Sequence, residues 1–180
     1  MLFASTTSPI INNYKISFRA PKDKVCKFIA TTKENICRYH NFVVLRKHFV
    51  YIIFHQSGFI NVTKLKNLDE VRQAVCDFHI WIDWQQQQPH SFTVDNITAS
   101  GRLGKAIPLL RLKRHFTTSQ IRVTFKPELF AGLSIKYNTF ELRGTIILFE
   151  TGSYTIVGVK TCADVQKVYS HTVNSLSTLT

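Results

Sequence analysis

One unit written twice is the feature that most limits what this chain can become. Gly58 and Gly152 lie 94 positions apart, and the offset then holds without a gap. Lys66 and Lys160 each follow their glycine by eight residues, and Asn67 to Glu70 and Thr161 to Asp164 come next. Each of those four-residue stretches offers a side-chain oxygen at its start and a carboxylate three residues on, the pattern that opens a helix. In the first predicted helix Val71, Val75, Phe78 and Ile82 fall on one stripe; in the second, Val165, Tyr169, Thr172, Val173 and Leu176 do. A repeat of this length is a supersecondary unit, so two similar halves are expected rather than one irregular domain.

Upstream of each helix the period changes from helix to strand. Tyr51-Ile52-Ile53-Phe54 precedes Gly58, and Ile146-Ile147-Leu148-Phe149 precedes Gly152. Phe59 to Thr63 and Ser153 to Val157 follow the glycines. β-Branched and aromatic runs interrupted by a glycine predict an antiparallel hairpin. Further strands are expected to begin at Phe42 and Phe130. Each half opens with a strand, at 11–19 and 91–99, followed by a helix. The first helix is predicted over 21–32, with Val25, Phe28 and Ile29 inward. The second is predicted over about 105–115, with Ile107, Leu110 and Leu103 inward. Gln85-Gln86-Gln87-Gln88-Pro89 reads as a linker, because a polar run ending in proline cannot continue a helix. The expected organisation is a first repeat at 10–84, a linker at 85–90 and a second repeat at 91–180. The class is α+β, with helices on one face of an antiparallel sheet and the other face bare.

Charge and composition then narrow the partners. The net charge is +12, and it is shared: residues to Trp84 hold 12 Lys/Arg against 6 Asp/Glu, and the rest hold 11 against 5. Two equally basic folded halves suit a polyanion such as duplex DNA better than a basic tail would. Fourteen Phe leave aromatic rings to spare for work outside the core. Cys26, Cys37, Cys76 and Cys162 are far apart and have no histidine at metal-ligand spacing, so they are expected as buried thiols with no metal and no other cofactor. Leu2 and Phe3 lack the flanks of a secretory signal, and no apolar run approaches roughly 18 residues, so neither secretion nor a membrane span is expected. No metalloprotease, nucleophile-elbow or phosphate-loop motif appears, so neither catalysis nor a small-molecule substrate is expected. Asp95 beside Asn96 is the nearest approach to a polar cluster on a strand.

Lys126-Pro127-Glu128-Leu129-Phe130-Ala131-Gly132-Leu133 resembles the E-P-E-L-F-P-G-L stretch of the TATA-box-binding-protein family. The run from Ile147 to Lys160 is similar to that family's L-I-F-x-S-G-K-x-x-x-T-G-A-K, and Val94 to Thr98 to its I-Q-N-I-V. The first half matches more sparsely, through Asn12-Asn13, Phe42 to Leu45, Ile53-Phe54, Ser57-Gly58 and Thr63 to Lys66. The resemblance implies a pseudo-twofold saddle: a curved ten-stranded antiparallel sheet with four helices on the convex face. It also implies a concave face that lies on a kinked, widened minor groove and acts in promoter recognition.

By that resemblance Phe42, Phe54, Phe130 and Phe149 are the rings that wedge between base steps. A flat apolar ring can replace a base as stacking partner, which offsets the few kcal/mol of unstacking. Taken singly, a strand phenylalanine reads first as a core residue; four recurring in both repeats at the family positions read as wedges, and alternation gives a test. If Phe54 and Phe149 face DNA, Ile53 and Leu148 face the helices. Asn13 and Asn96 match the family's paired asparagines, whose amides can donate to A N3 or T O2. Ile52, Ile147, Lys15, Asn61, Thr63, Thr155 and Val157 fall at the other minor-groove positions. Lys66, Lys136, Lys160, Arg46 and Lys47 are the phosphate candidates, and Glu128 and Leu129 the residues offered to a general transcription factor.

Departures from the family pattern matter. Phe42 and Phe54 are 12 positions apart but Phe130 and Phe149 are 19, and Lys15, Asn61 and Thr155 make the expected underside more polar. These departures bear on preference for A·T-rich promoter DNA more than on DNA binding itself. The pattern is similar to that of a viral homologue. The implied partners are A·T-rich double-stranded promoter DNA, general transcription factors and the RNA polymerase machinery, in the nucleus or a site of viral transcription. The competing expectation is a saddle that serves as a protein-interaction scaffold with little or no direct DNA binding.

Overall fold

The computed structural model describes residues 7–84, 91–116 and 121–178, so the linker expected at 85–90 lies outside the described residues. The chain divides into two compact units, Asn13–Asp95 and Asn96–Thr180, the latter joined by Met1–Asn12. Along the first run β1 (Ile10–Arg19), α1 (Lys22–Thr31), β2 (Ile36–Arg38), β3 (Val43–Arg46), β4 (Val50–Phe54), β5 (Phe59–Leu65) and α2 (Leu68–Trp81). Along the second run β6 (Thr93–Arg102), α3 (Leu109–His115), β7 (Ile121–Lys126), β8 (Phe130–Asn138), β9 (Arg143–Leu148), β10 (Ser153–Val159) and α4 (Cys162–Ser177). The strand order is β2-β3-β4-β5-β1 in the first half and β6-β10-β9-β8-β7 in the second. The described pairings are antiparallel, and the expected α+β class of ten strands and four helices is what forms.

Alternation decides which side of each strand is core. Tyr14, Ile16, Phe18, Tyr51, Ile53, Ile60 and Val62 are buried in the first half, as are Leu133, Ile135, Tyr137, Ile146, Leu148, Tyr154 and Ile156 in the second. These residues meet the helices. Phe18 and Tyr51 pack their rings on Phe78 of α2, and the Tyr51 hydroxyl donates to the Ala74 carbonyl at 3.1 Å. The Tyr137 hydroxyl lies 2.8 Å from that of Thr172 in α4, and Tyr154 packs on Tyr169. Each fully buried aliphatic side chain here contributes about 1.5–3 kcal/mol. Burial raises the Tyr51 and Tyr154 pKa values far above the usual tyrosine range. It pushes that of Tyr137 up to about 12, against a smaller lowering from its Thr172 hydrogen bond.

The helix starts follow their sequence signals. The Asn67 side chain accepts from the Glu70 amide at 2.8 Å while the Glu70 carboxylate accepts from the Lys66 amide at 2.7 Å. Thr161 accepts from the Asp164 amide at 3.1 Å. The two glycines close the hairpins because their φ angles are +66° and +81° and because each lies against chain beyond a strand, Ala20 after β1 and Lys105 after β6. A Cβ on Gly58 would overlap the Ala20 carbonyl, and one on Gly152 that of Lys105.

Three expectations are corrected. Helix α3 begins only at Leu109, because Pro108 has no amide to donate and stops the helix extending back to Lys105. The phase therefore shifts: Leu109 and Leu112 are buried and Leu110 is 65% exposed, while Leu103 and Ile107 are buried outside the helix. The cysteines are not buried thiols. Cys26, Cys37 and Cys162 are exposed, on the outer side of α1, on β2 and in the first turn of α4, and Cys76 is half-buried. No helix among the described residues is long and apolar enough to cross a membrane.

Candidate nucleic-acid interface

In each half the side of the sheet away from the helices carries the other parity of residues. Register aligns them in rows. Cys37, Val44, Ile52, Asn61 and Ser17 stand side by side across the first half. Thr124, Ser134, Ile147, Thr155 and Ser100 do so across the second. Ile52 and Ile147 thus occupy matching positions, each half-buried, beside Asn61 and Thr155.

The aromatic pairs stand beside these rows, two residues further along the strands: Phe54 follows Ile52 and Phe42 precedes Val44, and Phe149 follows Ile147. Phe42 and Phe54 have ring centroids 5.8 Å apart and tilted by 44°. Phe130 and Phe149 are also 5.8 Å apart, nearly edge to face at 70°. Phe130 is 50% exposed, and the other three are half-buried. The alternation test places them on the helix-free side, since Ile53 and Leu148 are fully buried against the helices. Gly132 makes room for the second pair: a Cβ there would meet the Phe130 ring and Ile147.

Asn13 and Asn96 play one structural part twice. The Asn13 oxygen accepts from the Lys64 amide at 2.7 Å, the Leu65 amide at 3.2 Å and the Thr63 hydroxyl at 3.2 Å. The Asn96 oxygen accepts from the Gly158 amide at 2.6 Å. Lys64 and Gly158, 94 positions apart, are the left-handed residues of two matching β-bulges, with φ of 71° and 75°. Committing the amide oxygen to the bulge fixes each side chain. Each Nδ2 donor remains for other work, and that of Asn96 reaches the Thr98 hydroxyl at 3.3 Å. Lys15 lies opposite the first bulge and is exposed; Thr63 and Val157 flank the two bulges, half-buried.

Basic side chains border this face. Arg46 pairs with Val50, and Lys136 with Thr145, so they hold equivalent register positions, and both are exposed. Lys66 and Lys160, exposed, immediately precede the caps of α2 and α4. Lys47 is not brought together with them. Its ammonium sits 4.0 Å from the ring centroid of Trp81 in α2, on the helix side. Glu128 and Leu129 occupy the exposed turn between β7 and β8, Leu129 at 77%. Asp95 accepts the Ser17 hydroxyl at 3.0 Å.

Four residues outside the sequence reading share the face. Arg122 on β7 lies directly across from Lys136. Tyr39 stacks on Phe42 with centroids 4.7 Å apart, Phe59 lies 6.2 Å from Phe54, and the Arg19 guanidinium is 5.7 Å from the Phe59 ring centre. Phe59 was legible: alternation from Asn61 and Thr63 puts it on their side. Tyr39 lies just past the three-residue β2, too short for a clear period; Arg122 sits in the strict alternation of Ile121 to Lys126, a strand the sequence reading did not name.

Residues 91–179 match the family model described as transcription factor TFIID (or TATA-binding protein, TBP). Among solved structures, the TBP of Methanococcus jannaschii shares the fold with a TM-score of 0.73, over 95% of this chain and 99% of its own, at 20% identity. A rolling circle replication initiator protein from Geobacillus stearothermophilus aligns over 91% of this chain and 79% of its own at 8% identity. Its TM-score of 0.41 is too low to carry an argument. No curated protein matches the chain by sequence. Fold and site together define a two-repeat protein of the DNA-binding transcription-factor class, built around open sheet faces. The chain belongs to the TATA-box-binding-protein family.

Proposed function

We propose that this protein binds the minor groove of A·T-rich promoter DNA, bends it, and so recruits the general transcription factors and RNA polymerase in the nucleus or at a site of viral transcription. The observation that carries this reading is the matched placement of Phe42–Phe54 and Phe130–Phe149, bare of helices and 5.8 Å apart in each half. Each pair can enter a base step as a wedge and replace the lost stacking. The amide donors of Asn13 and Asn96, held by their bulges, match the acceptors that an A·T pair shows in the minor groove. Lys136, Arg46, Lys66 and Lys160 add phosphate contacts that give affinity without sequence information. Its action is binding, not catalysis. A scaffold with no DNA role would have no need to leave four rings on the open face.

Selection of bound sites from a random duplex pool at two salt concentrations tests the reading. Enrichment of A·T-rich sites, with affinity falling as salt rises, is the expected result. A pool that emerges unselected at both concentrations would end it.

A further inference from the structure

The two halves are not equally armed. In the second, no further ring packs on the pair Phe130–Phe149 among the described residues: Pro127 lies three residues before Phe130, and Ser153 follows Gly152. In the first, Tyr39 lies three residues before Phe42, and Phe59 follows Gly58. The register makes the second comparison firm, because Phe59 pairs with Arg19 as Ser153 pairs with Arg102. The result is a continuous row of four rings, Tyr39, Phe42, Phe54 and Phe59, with successive centroids 4.7, 5.8 and 6.2 Å apart. Arg19 closes it with its guanidinium 5.7 Å from the centre of Phe59. Tyr39 is 53% exposed and Phe59 half-buried, so both present ring surface to solvent. The second-half counterpart of Phe59 is the small polar Ser153; a phenylalanine at this register position offers a face to a base instead.

We infer that the first half carries an enlarged base-stacking site, in which Tyr39 and Phe59 take up nucleobases beyond the step opened by Phe42 and Phe54. The inference rests on the DNA-binding reading and deepens it. A net charge of +12 supplies the attraction for the polyanion, and Arg19 brings a cation and a stacking plane to the end of the row. An aromatic face is tolerant of base identity, so this site adds grip and not sequence choice. It makes the two halves unequal partners for DNA despite their common fold.

The test scans a fluorescent adenine analogue through each position of a bound duplex, with wild type, the Tyr39→Ala/Phe59→Ser double variant, and Phe59→Lys. Wild type should unstack more positions than the double variant does. The double variant should still bend the duplex while losing about tenfold in affinity and the signal at the outermost positions. Phe59→Lys should lose the same stacking signal but gain about one unit of salt slope, as a phosphate contact replaces a base contact. A double variant that binds like wild type with the same fluorescence pattern overturns the enlarged site and leaves the DNA-binding reading standing. Failure of wild type itself to bind any duplex defeats that underlying reading instead.

Discussion

Phe130 meets Phe149 nearly edge to face, the two rings 5.8 Å apart over the gap left by Gly132. An edge-to-face pair of this kind holds both rings in place before any ligand arrives. Lys136, on the same strand, holds no such fixed geometry and acts through charge. The two should therefore fail differently. Phe130→Ala should reduce the bend in bound DNA with little change in salt dependence. Lys136→Ala should leave the bend and flatten the salt slope by about one unit. Gel-shift phasing and a salt titration separate the two outcomes.

The asparagines give a second contrast. Asn13→Ala strands the Lys64 and Leu65 amides without their acceptor and should cost about 1–2 kcal/mol of stability. Asn13→Asp keeps the acceptor and loses the Nδ2 donor. It should fold nearly as well as wild type yet bind A·T-rich duplexes more weakly. Thermal melts beside binding isotherms check both.

Lys64 occupies a left-handed conformation at φ 71°, where its counterpart in the second half is Gly158. Lys64→Gly should stabilise the protein by up to about 1 kcal/mol. Gly158→Ala should cost a similar amount, from backbone strain alone, since nothing lies within 4 Å of the added Cβ. Denaturant midpoints measure both changes.

Tyr137 makes stability pH-dependent in the alkaline range. Its folded pKa of about 12 lies above the ordinary value of 10. The folded state therefore holds a proton that the unfolded chain gives up first. The contribution is complete below pH 10 and is lost as pH rises toward 12. Tyr137→Phe should flatten this alkaline loss in a pH series of unfolding midpoints.

The repeat, the hairpins and the caps were legible because each rests on a local rule: a period, a glycine at positive φ, an oxygen three residues before its amide. Asn67 and Thr161 cap α2 and α4 as their spacing requires. What escaped the sequence depends on contacts between distant segments. Leu110 points outward because Pro108 resets the helix phase. Lys47, in the turn after β3, is drawn to Trp81 at the end of α2. The shared bulge role of Asn13 and Asn96 needs β1 paired with β5 and β6 with β10, which no linear motif records.

Energy transfer between dyes at the two ends of a short A·T-rich duplex tests the central claim most directly. Wild type should bring the ends together, while a variant with Phe42, Phe54, Phe130 and Phe149 all changed to alanine should leave any duplex it still holds straight. A wild-type complex in which the ends stay as far apart as in free DNA, or a four-alanine variant that bends as wild type does, would contradict the account.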